Sequence, residues 1–501
     1  MIPMSLLRPL FCMALLPWAQ DPSMESAATK SPLLTLEVVE MPLTSGAMLG
    51  VDRGVFEAPI VRARSDSGTL HVEFHRFHGA EGTEEQPPIF LLMGGPGFPG
   101  LQGAFARPGF YEAKMEALTR IADVVVVGQR GIGSSTPNTT CKSHERIPLD
   151  RAVPESEKRA AIVEGVRSCR EHWEAEGLDL GGFTVLEAAD DVIDVAKALG
   201  YKQITLMGNS FGSHWAMAIL RRYPERVARA LLSGIEGPDH TYDMPSYVLH
   251  ALERIAQAAE QAPALADEIP EGGLLAGFRA AIKRLEGEPQ TLELGRSTLY
   301  LDAAQLRELA TGITSRTGSR EGIRAWPRDM IAVARGELGD AGRAVLQRGF
   351  FSILPTASFF GLDCGSGISA ARHAELLADP AAEIVGPLGQ FYDWTCPVFD
   401  NDLGDEFRTE FSTSVPTLLV HGTWDTSTPF ENALEMAPAF SNSKLVVVEG
   451  GSHGALVEAR QMSPEFDGAV LEFLRTGDLE PVPTLVELQA PNWLLPGADG
   501  D

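Results

Sequence analysis

Apolar positions fall into short dense runs separated by longer amphipathic stretches. The runs Leu34–Val39, Leu70–Phe77, Ile89–Met93, Val124–Gly128, Ile204–Gly208, Ala230–Ser233, Thr417–His421 and Leu445–Glu449 are predicted strands. Most are apolar almost throughout, as expected for strands covered on both faces of a parallel sheet. The first two alternate more, as in an antiparallel edge hairpin. Between them, Leu186–Leu199 sets Ala189, Val192, Val195 and Ala196 on one helical face. His214–Arg222 follows one strand directly, and Val470–Leu474 belongs to a helix after the last strand. Alternation of strand and helix implies right-handed crossovers and an α/β sheet with helices on both faces.

One interval breaks this rhythm. About 180 residues separate the strand ending near Ser233 from the one starting near Thr417, where a crossover needs only a dozen or more. Helices are predicted there at Ser246–Gln261, Leu274–Leu285, Ala303–Thr311, Gly322–Arg335 and Ile368–Leu377, with no strand pair. The interval reads as an inserted helical lid over the carboxyl ends of the strands. The division is then a leader at 1–28, a first core part at 29–236, a lid at 237–412, a second core part at 413–478 and a tail at 479–501.

The pentapeptide Gly208-Asn209-Ser210-Phe211-Gly212 lies between a predicted strand and a predicted helix, the setting of a nucleophile elbow. A second match, Gly450-Gly451-Ser452-His453-Gly454, fails on chain order, because only His453 itself follows Ser452. After Ser210 the order Ser, Asp, His is met. Asp425 follows the strand Thr417–His421, and His453 follows the strand Leu445–Glu449. A serine hydroxyl needs a base to take its proton, here His453, and the imidazolium formed needs a carboxylate, here Asp425. An oxyanion hole needs two backbone N–H groups. Phe211 supplies one, and Gly95 of Gly94-Gly95-Pro96-Gly97 is the candidate for the other. His214 and His421 read as packing or supporting residues, and His71, His75 and His78 as exposed-face or hairpin-end residues. This chemistry asks for no cofactor and no metal.

The ends and the charge add a compartment and exclude some partners. Arg8 followed by the apolar stretch Pro9–Trp18 fits a secretory leader, with cleavage near Ala19 or at Ser26-Ala27-Ala28. That stretch is too short to span a bilayer, and Phe11 before Cys12 disfavours lipidation. Outside the leader remain Cys141, Cys169, Cys364 and Cys396, an even number that suits an exported, disulfide-bonded protein. Of the three connectivities, sequence proximity favours Cys141–Cys169 with Cys364–Cys396. Lys and Arg number 41 against 68 Asp and Glu, a net charge of −27. That excess argues against nucleic acid and against anionic membrane surfaces as partners.

These residues together resemble the proline iminopeptidase and tripeptidyl aminopeptidase group of α/β-hydrolases. The likeness covers about Val55–Pro238 and Val415–Leu474. It rests on Gly94-Gly95-Pro96-Gly97, on Gln129-Arg130-Gly131-Ile132-Gly133-Ser134-Ser135, on the Ser210 elbow, on Asp425 with Thr428-Pro429, and on Gly451-Ser452-His453. Ala325-Trp326-Pro327 through Arg335-Gly336 resembles the lid of the tripeptidyl type, and cysteines like these four recur in that branch's exported enzymes. The resemblance implies a secreted or periplasmic serine aminopeptidase that releases single residues or short N-terminal fragments from peptides. An esterase with the same triad is the alternative. Two positions depart from the family pattern. Gly128 stands where the family has Asp before Gln-Arg-Gly. The lid carboxylate that usually follows the third mature cysteine is replaced by Gly365-Ser366, with Asp363 before Cys364. Because lid carboxylates of this family receive the substrate's α-amine, the second departure bears on exopeptidase specificity.

Overall fold

A computed structural model of the 501-residue chain describes residues 35–43, 46–97, 101, 112–142, 147–312, 319–350, 356–409 and 411–496. The leader expected at 1–28 lies outside the described residues. Ten strands form one sheet: β1 Thr35–Pro42, β2 Met48–Pro59, β3 Thr69–Phe77, β4 Ile89–Leu92, β5 Val124–Val127, β6 Ile204–Asn209, β7 Val227–Ser233, β10 Thr417–Gly422, β11 Ser443–Glu449 and β12 Leu485–Glu487. Their order is β1-β2-β3-β5-β4-β6-β7-β10-β11-β12. The strands β1, β2, β3 and β5 pair antiparallel, and the rest pair parallel. The loops after β4, β6, β7, β10 and β11 therefore leave one edge of the sheet together, as the open edge of an α/β sheet requires.

Each face of the sheet is covered by helices. Val185–Ala198 and Phe211–Arg222 pack Ala189, Val192, Trp215 and Ile219 against Leu206 and Leu232 on one side. Glu112–Thr119 and Pro464–Thr476 pack Met115, Leu118, Val470 and Phe473 against Val126 and Val446 on the other. The chain between β7 and β10 builds a separate core around Leu252, Phe278, Trp326 and Ile331. Its helices include Pro245–Glu260, Leu274–Gly287, Trp326–Arg335, Ala357–Ser366, Ala370–Ala378 and Gln390–Phe399.

Three local expectations are corrected. The edge is not a two-stranded hairpin, because β2 runs for twelve residues between β1 and β3. Its Gly50, Asp52, Arg53 and Gly54 break the apolar pattern, and Gly54 is required because a Cβ there would enter the Phe74 ring. The insertion holds a strand pair after all, β8 Gln290–Leu294 with β9 Ser297–Leu301, turning at Gly295 with φ 67°. Leu292, Leu299 and Leu301 of this hairpin join the core that this segment builds. His75 is buried rather than exposed, since β3 lies inside the sheet and its ring meets Glu73 Oε1 at 3.0 Å. The tail also acquires a place. It adds β12 beside β11 and lays Trp493 against Trp424, with ring centres 6.0 Å apart. No helix among the described residues is long and apolar enough to cross a membrane.

Candidate active site

The loop from β6 into the helix Phe211–Arg222 holds Ser210 at φ 58° and ψ −133°, a conformation costly for any residue with a side chain. The flanking glycines follow from the same geometry. A Cβ on Gly208 would press into the Gly212 carbonyl, and one on Gly212 into the Leu92 carbonyl of β4. The turn is thus wedged between its own helix and the next strand. The Ser210 N–H is bonded to the Ser233 carbonyl at 3.1 Å, and Ser213 Oγ donates back to the Ser210 carbonyl at 2.7 Å.

Asp425 and His453 arrive on the loops after β10 and β11. Asp425 is wholly buried and its carboxylate is well supplied with donors. Oδ1 accepts the N–H groups of Ser427 at 2.9 Å and Thr428 at 3.0 Å, and Oδ2 accepts the Thr428 hydroxyl at 3.0 Å. His453 Nδ1 lies 2.9 Å from Oδ2 and 3.1 Å from Oδ1. Burial pushes the Asp425 carboxyl up, but the His453 ring and the surrounding donors outweigh it and hold the carboxyl below its ordinary value. Burial pushes His453 down, and Asp425 outweighs that, so the imidazole titrates above its ordinary value. The structure brings His453 beside the elbow. Asn209 Nδ2 points at the His453 carbonyl from 3.5 Å, and Gly234, which packs against both residues, has no room for a side chain. Ser452 of the second pentapeptide is fully buried, and its hydroxyl is held by Glu458, so it shapes the His453 loop from behind.

The glycine-rich loop after β4 lies against Ser210, since a Cβ on Gly94 would stand 3.0 Å from Ser210 Cβ. Gly95 takes φ 71°. Gln129 clamps this loop from the next strand, with Nε2 donating to the Gly95 carbonyl at 3.2 Å and Oε1 accepting the Gly97 N–H at 2.9 Å. Arg130 has a different task. It is fully buried and forks onto Asp191 at 2.8 Å through Nε and Nη2, while Nη1 donates to the Ile60 carbonyl at 2.8 Å and to the Gly182 carbonyl. The Gln-Arg pair thus shapes the loop and anchors it to the helix Val185–Ala198. Gly128 is explained by crowding, since a Cβ would meet Leu101 at 2.9 Å and the Glu73 carbonyl at 3.0 Å. The four cysteines form two bonds, Cys141–Cys169 with S–S 2.04 Å and Cys364–Cys396 with S–S 2.11 Å. The second joins the helices Ala357–Ser366 and Gln390–Phe399 beside the site.

Beside Asp425 and His453 lies a group of carboxylates that the sequence motifs do not mark. Glu236 and Asp243 come from the segment following β7, and Asp363 from the helix Ala357–Ser366. Asp363 is 3% exposed, and its Oδ2 accepts the Tyr392 hydroxyl at 2.6 Å. Burial pushes the Asp363 carboxyl up to about 7, against the pull of that hydrogen bond. Burial, then the charge of Asp425, pushes Asp243 up to about 7, against Arg372 and His453. Glu236 is driven well above its ordinary value by burial and then by Asp363 and Asp243. Tyr392 is likewise held far above its usual range by burial and by Asp363. Among the described residues the Glu236 and Asp243 carboxylates have no hydrogen-bond partner, and both keep part of their surface open. One signal in the sequence could have found Glu236. It stands just past the end of an apolar strand, the position that also carries Ser210 and Asp425. Among the described residues no group of three His, Cys, Asp or Glu side chains is disposed to hold a metal ion.

Comparison with known proteins bears on the same segments. A family model described as alpha/beta hydrolase fold matches residues 87–306, and one described as TAP-like protein matches residues 393–484. The putative hydrolase YuaR of Escherichia coli is 27% identical over 161 residues, 32% of this chain and 30% of that protein. The serine protease Hip1 of Mycobacterium tuberculosis is 26% identical over 157 residues, 30% of each chain. The match thus spans under a third of the length of both relatives. The tripeptidyl aminopeptidase of Streptomyces coelicolor is 23% identical over 424 residues, 79% of this chain and 75% of that one.

Proposed function

The chain belongs to the α/β-hydrolases of the tripeptidyl aminopeptidase-like kind, and from that premise we propose that it is a serine aminopeptidase acting on short peptides. Ser210 is the nucleophile. With Nδ1 engaged by Asp425, His453 uses Nε2 to take the Ser210 proton as Oγ attacks the scissile carbonyl. Charge on the tetrahedral oxygen is met by the N–H groups of Phe211, at the start of its helix, and of Gly95. His453 then returns the proton to the departing amine. Water, activated by the same imidazole, releases the acyl group from Ser210.

The observation that carries the exopeptidase reading is the convergence of Glu236, Asp243 and Asp363 beside the triad. Burial resists ionisation of all three carboxylates, and at Glu236 and Asp243 the charge of neighbouring carboxylates adds to it; their raised titration expresses that cost. A substrate ammonium relieves it, whereas a blocked N-terminus leaves it in place. The amine-binding role expected of a carboxylate after Cys364 passes to Asp363 before it, joined by two residues of the β7 loop. The two disulfides suit an exported protein in an oxidising compartment.

The test is hydrolysis of tripeptidyl p-nitroanilides with free and with acetylated N-termini. Cleavage of the free form, and loss of at least about tenfold in kcat/KM on acetylation, is expected, since a charge-assisted contact contributes about 1.5–3 kcal/mol. Activity confined to blocked peptides or simple esters would remove the aminopeptidase and favour the esterase.

A further inference from the structure

One buried side chain touches both the Asp425 turn and the segment that bears Glu236. His421 is the penultimate residue of β10 and is wholly buried. Its Nδ1 accepts the Ile235 N–H at 3.0 Å. A nitrogen that accepts carries no proton, so the ring is neutral and its hydrogen is on Nε2. That Nε2 lies 2.7 Å from the Thr428 carbonyl, to which it donates, and 3.5 Å from Asp425 Oδ2. Burial favours the neutral ring, outweighing the pull of Asp425.

The two sides of the ring have different consequences. Thr428 supplies both its N–H and its hydroxyl to Asp425, and its hydroxyl lies 3.2 Å from His453 Nδ1. The Nε2 side therefore holds the turn that fixes the carboxylate against the imidazole. Ile235 immediately precedes Glu236, whose own N–H is bonded to Ser213 Oγ at 2.9 Å. The Nδ1 side therefore holds the backbone that aims Glu236 into the pocket.

We propose that His421 is a positioning residue that couples the catalytic turn to the substrate-binding segment, with its Nε2 side governing turnover and its Nδ1 side governing capture of the substrate amine. The second half of this proposal rests on the aminopeptidase reading. Protonation or the opposite tautomer would break the arrangement, because Nδ1 would then present a hydrogen to the Ile235 N–H.

Three variants separate the two sides. His421→Asn keeps an acceptor near Nδ1 and loses the Nε2 donor. His421→Gln keeps a donor near Nε2 and loses the Nδ1 acceptor. His421→Leu keeps neither. The readouts are kcat and KM on a free-amine tripeptidyl p-nitroanilide and the rate of labelling by a fluorophosphonate, which needs only the triad. Asn should lower kcat and labelling about tenfold with KM nearly unchanged, the size expected for one buried hydrogen bond. Gln should raise KM about tenfold with labelling nearly unchanged, and Leu should do both. Equal changes in Asn and Gln, or a harmless Leu, would overturn the coupling. Where a variant does not fold, the unaltered protein still decides. Imidazole nitrogen NMR at neutral pH should show a neutral Nε2–H tautomer for His421, and an imidazolium or an Nδ1–H tautomer refutes the proposal. If the native enzyme cleaves esters but no free-amine peptide, the aminopeptidase reading fails, and the Nδ1 half of the proposal with it. Labelling rates and the tautomer then decide the Nε2 half alone.

Discussion

Replacing Asp363 by Asn should stabilise the protein and, on the proposed reading, impair its action on free-amine peptides. The Asp363 carboxyl is 3% exposed and is pushed by burial from 3.8 to about 7. Between those values the native state keeps a proton that the unfolded chain has released, so stability falls as pH rises, then levels off above 7. The gap of about 3, at 1.36 kcal/mol for each, puts the full cost near 4 kcal/mol. Asn carries no such cost and can still accept the Tyr392 hydroxyl, though through a weaker bond, an offset of about 1 kcal/mol. The advantage of the variant should therefore reach about 3 kcal/mol at pH 8 and grow by about 2 kcal/mol between pH 5.5 and pH 8. The lower pH stays clear of the isoelectric point near 4.8. Urea unfolding at the two pH values measures this. In parallel, kcat/KM on a free-amine peptide should fall by at least about tenfold while hydrolysis of a simple ester changes by less than about threefold. A variant that is less stable than the parent at pH 8, or whose advantage is the same at both pH values, would show that the buried carboxyl is not held out of its ordinary range. The reasoning from the carboxylate group would then fail with it.

Three further outcomes follow from the same geometry. Ser210→Gly should be more stable than Ser210→Ala by about 1–2 kcal/mol in urea unfolding, because only Gly adopts φ 58° without strain, and equal stabilities would deny that strain. Arg130→Met should cost about 3 kcal/mol or more, since it strips the buried Asp191 of a two-point partner while only Arg62 remains; a midpoint within error of the parent would contradict this. For an ester substrate, the acid limb of kcat should lie above 6.5, because catalysis needs His453 neutral and Asp425 raises its titration, and Asp425→Asn should bring any residual limb down; a parent limb at or below 6.5 would contradict the assignment.

The residues with the strongest chemistry were the most legible. Ser210, Asp425 and His453 each follow shortly on an apolar run, and in a parallel sheet all such ends meet at one edge, so their order and placement along the chain were enough to select them as candidates. The two cysteine pairs were legible from proximity along the chain. Elements whose cause lies across the sheet were not. Gly54 looks like a strand breaker until the Phe74 ring is seen to fill the space its side chain would need. Gly128 looks like a lost family residue until Leu101 and the Glu73 carbonyl are seen on either side of it. Glu236 and Asp243 are ordinary loop acids in the sequence, and only the fold sets them beside Asp363, 120 residues further on. His421 reads as a core residue, which it is; what it bonds on each side is a fact of packing.

The net charge of −27 does not by itself select a cationic substrate. Exposed charges are screened over about 8 Å at physiological salt, so most of them act on solubility and encounter. The pocket acids differ because they are largely shielded from water and close to one another. Their protons are held to about pH 7 at Asp243 and Asp363, so at neutral pH the pocket is only partly ionised. On the proposed reading, an arriving ammonium does more than meet a fixed charge. It favours the ionised form of every carboxylate around it, and the protons they release go to solvent. Amine binding should therefore expel protons and strengthen as pH rises through 7, until the amine itself loses its charge near its ordinary value of about 8. A blocked or neutral N-terminus triggers no such release and gains nothing from it. Selectivity then comes from relieving a cost of burial and repulsion already built into the fold, and it survives salt concentrations that would erase attraction by the surface charge.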